Sequence, residues 1–196
     1  MANSNVGILN LALIELKVPV VASLTEASDA AELATAIWDY IRNMVLEDHE
    51  WNFAKVQVKL VQDTTYTDAS ADYDPAWLYR YSKPSSCLRI RKVVEENDVD
   101  VLYAEQGDYI YSNVDNSDID LFCKYTTIIT DPTKYSPSFI NAFKYKLAAA
   151  MAAKLSAMSP EGFEQKYVYA LNHATGVNQS QDYIQGDKGN TSWTDR

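Results

Sequence analysis

Two switches of periodicity constrain this chain more than any other feature. Up to about residue 54 apolar side chains recur at intervals of three and four; they then alternate, and from Ser136-Pro137 the helical spacing returns. Helices at both ends are thus expected to flank a strand segment. In the second helix the stripe reads Leu33, Ile37, Tyr40 with Ile41, and Met44 with Val45, while Asp39, Arg42, Asn43 and Glu47 fall opposite. Such a helix docks by one side. Ser28 or Asp29 is expected to open it, with Glu32 three residues beyond Asp29 at capping-box spacing.

The first helix, residues 5–16, is apolar over more than half its circumference through Ile8, Leu9, Leu11, Ala12, Leu13 and Leu16. It therefore needs cover from other helices or a neighbouring subunit, and Pro19 is expected to end it. After Phe53, Val56, Val58 and Leu60 alternate with Gln57, Lys59 and Gln62, which predicts a strand. Residues 63–76 are polar and without period, a surface loop. Trp77, Tyr79 and Tyr81 alternate into Pro84, and Leu88, Ile90 and Val93 continue as a strand. Further strands are expected at 99–104, 109–112 and 119–129, separated by turns at Glu95 to Asp98, Gln106-Gly107-Asp108 and Asp115 to Asp118. This spacing predicts a small antiparallel sheet or sandwich.

Ser136 as N-cap and Pro137 at the first helical position open the third helix, with a stripe of Phe139 or Ile140, Phe143, Leu147, Ala150 with Met151, and Leu155. Its run of alanines predicts close crossing of the first or second helix. Ser159 and Pro160 open a fourth helix carrying Phe163, Tyr167, Ala170, Leu171 and Ala174, which Gly176 is expected to close. Residues 177–196 are polar apart from Tyr183, Ile184 and Trp193, and read as an extended arm that orders on a partner. The expected fold is therefore α+β. A four-helix bundle is formed by residues 1–54 and 136–176, a β domain at 55–135 is inserted between helices 2 and 3, and a C-terminal arm follows at 177–196.

Chemistry is sparse. His49 and His173 have no Cys, His or Asp at ligand spacing, Cys87 and Cys123 sit in strands, and the six glycines form no phosphate loop. Asp115, Asp118 and Asp120 resemble a calcium loop but lack its central Gly and closing Glu, so a solvated hairpin tip is expected. No enzyme, metal or cofactor is predicted. Seventeen basic against 27 acidic residues give a net charge of −10, which argues against sequence-specific nucleic-acid binding, and no apolar run is long enough for a bilayer. The 14 Tyr and 4 Trp, against 5 Phe, fit either an assembly surface or aromatic-rich strands. Trp77, Tyr79 and Tyr81 are candidates for sheet core or partner contact alike.

A family resemblance supplies what composition does not. The pattern Asn10-Leu11-Ala12-Leu13, then Leu24 and Glu26, then Trp51-Asn52-Phe53-Ala54, resembles the opening of the head-to-tail adaptor, or tail tubular protein A, family of short-tailed phages. The aromatic strand running into Pro84 and Leu88-Arg89, and an arm ending near Trp193 and Arg196, are similar to that family too. The resemblance implies a structural virion protein at the neck, assembled in the host cytoplasm into a ring, twelvefold like the portal above it. Its partners would be other copies of itself, the portal, the tail nozzle and tail fibres, and genome DNA would pass the lumen without sequence-specific contact. Trp77, Tyr79, Tyr81, Tyr183, Ile184, Trp193 and Arg196 would then be the partner-binding residues. The alternative is a free-standing binding module whose inserted sheet holds a peptide or small ligand.

Overall fold

A computed structural model of the chain describes residues 4–117 and 119–185. Among the described residues it is a mixed α/β protein with four α-helices and two small antiparallel sheets. Two compact units divide it: Met1–Phe53 with Ile129–Arg196, and Ala54–Ile128.

The helical unit begins with α1 (Asn5–Glu15), whose N-cap Ser4 accepts the Gly7 amide at 3.0 Å. It stops at Leu16, ahead of Pro19, because Lys17 turns left-handed at φ 58° and lets the Lys17 and Val18 amides reach the Ile14 and Leu13 carbonyls. This closure satisfies two carbonyls that would otherwise lack partners. Ile8, Leu9, Ala12 and Leu13 are fully buried, as a helix covered on more than one side requires.

In α2 (Asp29–Asp48) Ser28 is the N-cap, its Oγ accepting the Ala31 amide at 3.3 Å. Glu32 thus falls one position too late for the expected capping box. The buried face is also rotated from the one predicted. It consists of Ala31, Ala34, Trp38, Ile41, Val45 and Leu46, while Tyr40 is 67% exposed and Arg42 only 6%. Trp38 sets this rotation, since its ring meets Phe143 edge-on at 4.9 Å. Arg42 then lies along the buried edge, with Nη1 donating to Asp39 at 2.7 Å and Nε and Nη2 donating to Asn43 Oδ1 at 3.1 and 2.9 Å. Ile41→Ala is expected to cost about 2–5 kcal/mol by opening a cavity. Arg42→Ala, neutral on the predicted register, is expected to cost about 1–2 kcal/mol through lost packing. Denaturant titration of both variants checks the register; a silent Arg42→Ala would contradict it.

The most covered helix is α3 (Pro137–Leu155), capped by Ser136 Oγ on the Phe139 amide at 3.2 Å. It packs on α1, on α2 and on α4 (Pro160–Gln185). Phe139, Phe143, Leu147, Ala148, Met151 and Ala152 are fully buried, and the small residues let neighbouring axes come close. Ala150, expected inside, is exposed, and Leu155 is only half-buried. In α4, Phe163, Tyr167, Ala170 and Ala174 face the core.

That helix runs through Gly176 rather than ending there, so residues 177–185 of the expected arm are helical. A helical glycine costs only about 1 kcal/mol relative to alanine, too little to force a stop. Tyr183 and Ile184 lie on this last stretch of helix; Trp193 and Arg196 lie outside the described residues.

The strand unit contains β1 (Lys55–Lys59), β2 (Tyr79–Ser82), β3 (Cys87–Glu95), β4 (Tyr103–Gln106), β5 (Tyr109–Ser112) and β6 (Leu121–Thr127). The sheets run β1-β6-β3 and β2-β5-β4, every pairing antiparallel. They share one core, with Leu60, Val93, Leu121 and Cys123 packed against Tyr81 and Ile110. Register shifts in β3, between Cys87 and Arg89 and between Ile90 and Lys92, bring Ile90 and Val93 to the same inner face despite their spacing of three. The strand expected at 99–104 is displaced to Tyr103–Gln106, leaving Val99 and Leu102 exposed. Gly107, at φ 60°, makes the tight turn into β5. Cys87 is half-buried and Cys123 fully buried; both are free thiols.

Residues 129–135, expected with the strands, join the helical unit. The Tyr135 ring lies tilted against Phe139 at 4.6 Å, and its hydroxyl donates to the Ile129 carbonyl at 2.9 Å.

Candidate partner-binding surface

The three aromatic candidates at the entry to β2 have different environments. Tyr81 is fully buried in the sheet core, its hydroxyl donating to the Val114 carbonyl, so its ring is not offered to a partner. Tyr79 is half-buried against the same core. Trp77 precedes the strand and is likewise half-buried, with its amide on the Asp74 carbonyl at 2.9 Å. Of the three, Trp77 and Tyr79 retain surface.

Between Tyr79 and Tyr81 lies a residue the sequence does not single out. Arg80 is 8% exposed, with Nε and Nη2 donating to Asp63 Oδ2 at 3.0 and 2.8 Å and Nη1 paired with Asp72. Its guanidinium carbon lies 4.7 Å from the Tyr66 ring centroid and 4.2 Å from that of Tyr109. Burial works against the charge, yet hydrogen bonds to Asp63, Tyr111 and Asp72 outweigh it and raise the Arg80 pKa above its ordinary value. Asp63 is held below the usual carboxylate range, first by the Thr65 hydroxyl and amide and then by Arg80. Together these contacts pin the 63–76 loop, expected to be only a surface loop, against sheet β2-β5-β4. Partners 17 residues apart carry no local spacing signal by which they could have been found.

At the other hairpin end, Asn116 ties the turn to the strands. Its Oδ1 accepts the Leu121 amide at 2.9 Å and its Nδ2 donates to the Leu60 carbonyl at 3.0 Å. Asp120 pairs with Lys59 at 2.6 Å, and Asp118 lies outside the described residues.

His49 packs edge-on against Trp51 at 4.6 Å and His173 is exposed. Among the described residues no group of three or more His, Cys, Asp or Glu is placed to hold a metal ion. No described helix is long and apolar enough to cross a membrane. What the surface offers instead is isolated apolar area: Ile14, Val20, Tyr40, Val168 and Tyr169 on the helical unit, and Val56, Val58, Val61 and Leu102 on the strand unit. The edge strand β1 is exposed along all five of its residues. Exposed strand edges and scattered apolar side chains suit protein contact better than small-molecule capture.

Neither a protein-family model nor a curated protein matches this sequence.

Three buried phenols give the fold a sharp alkaline limit. Burial pushes Tyr81 and Tyr135 up to about 12, and burial together with the Asp48 carboxylate, 2.7 Å away, raises Tyr167 further. A phenol with a raised folded pKa contributes stability that is fully present below its unfolded value, about 10, and is lost as pH climbs through the folded one. Stability is therefore expected to fall between about pH 10 and pH 12. Tyr167→Phe, which leaves no phenol to ionise, should flatten part of that decline in a pH series of denaturant titrations.

Proposed function

We propose that this chain is a structural subunit of a phage particle, a head-to-tail adaptor whose copies form a ring joining the portal to the tail nozzle. In this reading the four helices make one bundle, the strand segment is an insertion between its second and third helices, and the chain beyond α4 is an arm that orders on the portal or an adjacent subunit. The ring is twelvefold, at the virion neck, and its acidic subunits let genome DNA pass without adhering.

The observation that carries this reading is the order of the elements. One compact unit draws on Met1–Phe53 and Ile129–Arg196, the other on Ala54–Ile128, and Trp51-Asn52-Phe53-Ala54 stands at the change between them. That order is the one the family resemblance implies. Exposed apolar side chains on both units, and an edge strand exposed along its length, give further support.

Negative-stain microscopy of the purified chain, alone and mixed with a portal protein, is the test. Rings in either sample are expected; monomers in both would overturn the proposal. Truncation after Gln185 is expected to leave the denaturation midpoint unchanged while attachment to the portal is lost.

A further inference from the structure

Four stretches lie side by side in one sheet of the strand unit: β1, β6, β3 and, beyond β3, residues 99–101, joined through the Val94–Asp100 bridge. β1 ends the row on one side, exposed along its length, and residues 96–100 are exposed on the other. Hydrogen bonds fix which main-chain groups point outward at each end. The Leu60 amide donates to the Leu121 carbonyl at 2.8 Å, so by the alternation of an antiparallel ladder Val58 and Val56 also turn their peptide groups to β6, and Gln57 turns its own away. At the far end the Val101 amide donates to the Val93 carbonyl and the Glu95 amide to the Val99 carbonyl, both at 2.9 Å. Asp100 therefore faces outward with its amide and carbonyl. Side chains alternate in the same way. Val56 and Val58 stand on the face of their β6 partners Tyr125 and Cys123, and Val101 packs on that same core. Lys55, Gln57 and Lys59 stand on the opposite face, where Lys124 pairs with Asp98 and Lys92 with Asp100.

We propose that β1 of one copy adds to residues 99–101 of the next, continuing the sheet from subunit to subunit, an inference that rests on the ring reading and names the contact that joins neighbours. Three features match. With Gln57 opposite Asp100 the outward groups exchange two hydrogen bonds, and Val58 then meets Val99 while Val56 meets Val101 on the inner face. No other register opposes both pairs of valines. Charge agrees with it, since Lys59 arrives beside Asp98. The edge at 95–100 is acidic through Glu95, Glu96, Asp98 and Asp100, more than Lys92 and Lys124 offset, whereas the charges of β1 are Lys55 and Lys59, with Asp120 beside the latter. Direction is the third feature. Neighbouring stretches alternate in direction across the row, so a copy rotated about an axis along the strands brings its β1 antiparallel to 99–101. Each subunit then gives one edge and receives one, the head-to-tail pattern that closes rings. Two β1 strands suit each other less, because antiparallel pairing about Gln57 sets Lys55 against Lys59.

Cysteine pairing in the full chain tests this. Val58→Cys and Val99→Cys chains, prepared separately, are mixed under mild oxidation and read on non-reducing gels. Residues facing each other between ladder bonds lie about 4.5 Å apart at Cα, within disulfide reach. A covalent pair is expected from the mixture, and a ladder from the chain carrying both changes, above the background that the parent's own thiols give. Exchanging Val99→Cys for Tyr169→Cys, exposed on α4, is expected to abolish the pair. Lys59→Glu in the Val58→Cys chain is expected to reduce it, and Asp98→Asn in the Val99→Cys chain to restore part. Gln57→Pro deletes an amide that points away from β6, so the denaturation midpoint is expected to stay close to the parent's while pairing is lost. A stronger pair between Val58→Cys and Val56→Cys would overturn the proposal in favour of two β1 strands meeting. Absence of any pair would overturn this contact, and rings seen in the same sample would leave the ring reading standing; a pair without rings would support the contact and count against the ring.

Discussion

Trp51→Ala is expected to lose about 3–5 kcal/mol of stability, the range for emptying a large aromatic site in a packed core. The indole is 1% exposed and meets His49 at 4.6 Å, Phe139 at 5.1 Å and Phe53 at 6.2 Å. It also has a polar task. Nε1 donates to the Val45 carbonyl at 2.7 Å, which ties the indole to the last turn of α2. Trp51→Phe keeps much of the packing and deletes the bond, so it is expected to cost about 1 kcal/mol, the net worth of one buried hydrogen bond. Denaturant titration of the two variants separates the contributions. Equal midpoints for Trp51→Ala and the parent would rule out this junction as a support of the helical unit.

Arg80→Met is expected to cost about 3 kcal/mol, because it removes the countercharge of Asp63, whose side chain is only 17% exposed and keeps just the Thr65 hydroxyl and amide as donors. Asp72 is 60% exposed and recovers water, so it adds little. Adding Asp63→Asn to Arg80→Met is expected to regain part of the loss, since the stranded charge is then gone. The pH dependence has a definite sign. Asp63 has a depressed folded pKa, so its contribution is present above the ordinary aspartate value, about 4, and disappears as pH falls through the folded one. Parent and Arg80→Met are therefore expected to converge in stability below about pH 4. A gap that stays constant from neutral pH to pH 3 would show that Arg80 acts through packing alone.

Much of the architecture is legible in the sequence because it is written in local spacing. Ser136-Pro137 marks a helix start that needs no tertiary information, and Tyr109 to Ser112 alternates cleanly between two turns. The errors have a common origin in contacts made at a distance. Counting apolar residues along α2 favours Tyr40 over Arg42. The structure instead turns the helix so that Trp38 meets Phe143, more than a hundred residues away. Gly176 reads as a stop only where a neighbour or a left-handed turn demands one, and a Cβ there would meet nothing within 4 Å. The cage around Arg80 was invisible for a related reason: a cation, two carboxylates and two rings drawn from four separate stretches share no period. Partner contacts follow the same logic, since Tyr81 belongs to the pattern Trp77, Tyr79, Tyr81 in sequence yet is sealed inside the sheets.

The two thiols make the strand unit its own reporter. Burial raises Cys123 to about 12 and lifts Cys87 above its ordinary value, and the reactive form of either is the thiolate. Cys123, at 0% exposure between the sheets, can be alkylated only when they part. Its labelling rate under native conditions therefore measures how often the sandwich opens, residue by residue and without denaturant. Comparing that rate in the free chain and in the proposed ring would tell whether such assembly clamps the sheets or leaves them breathing.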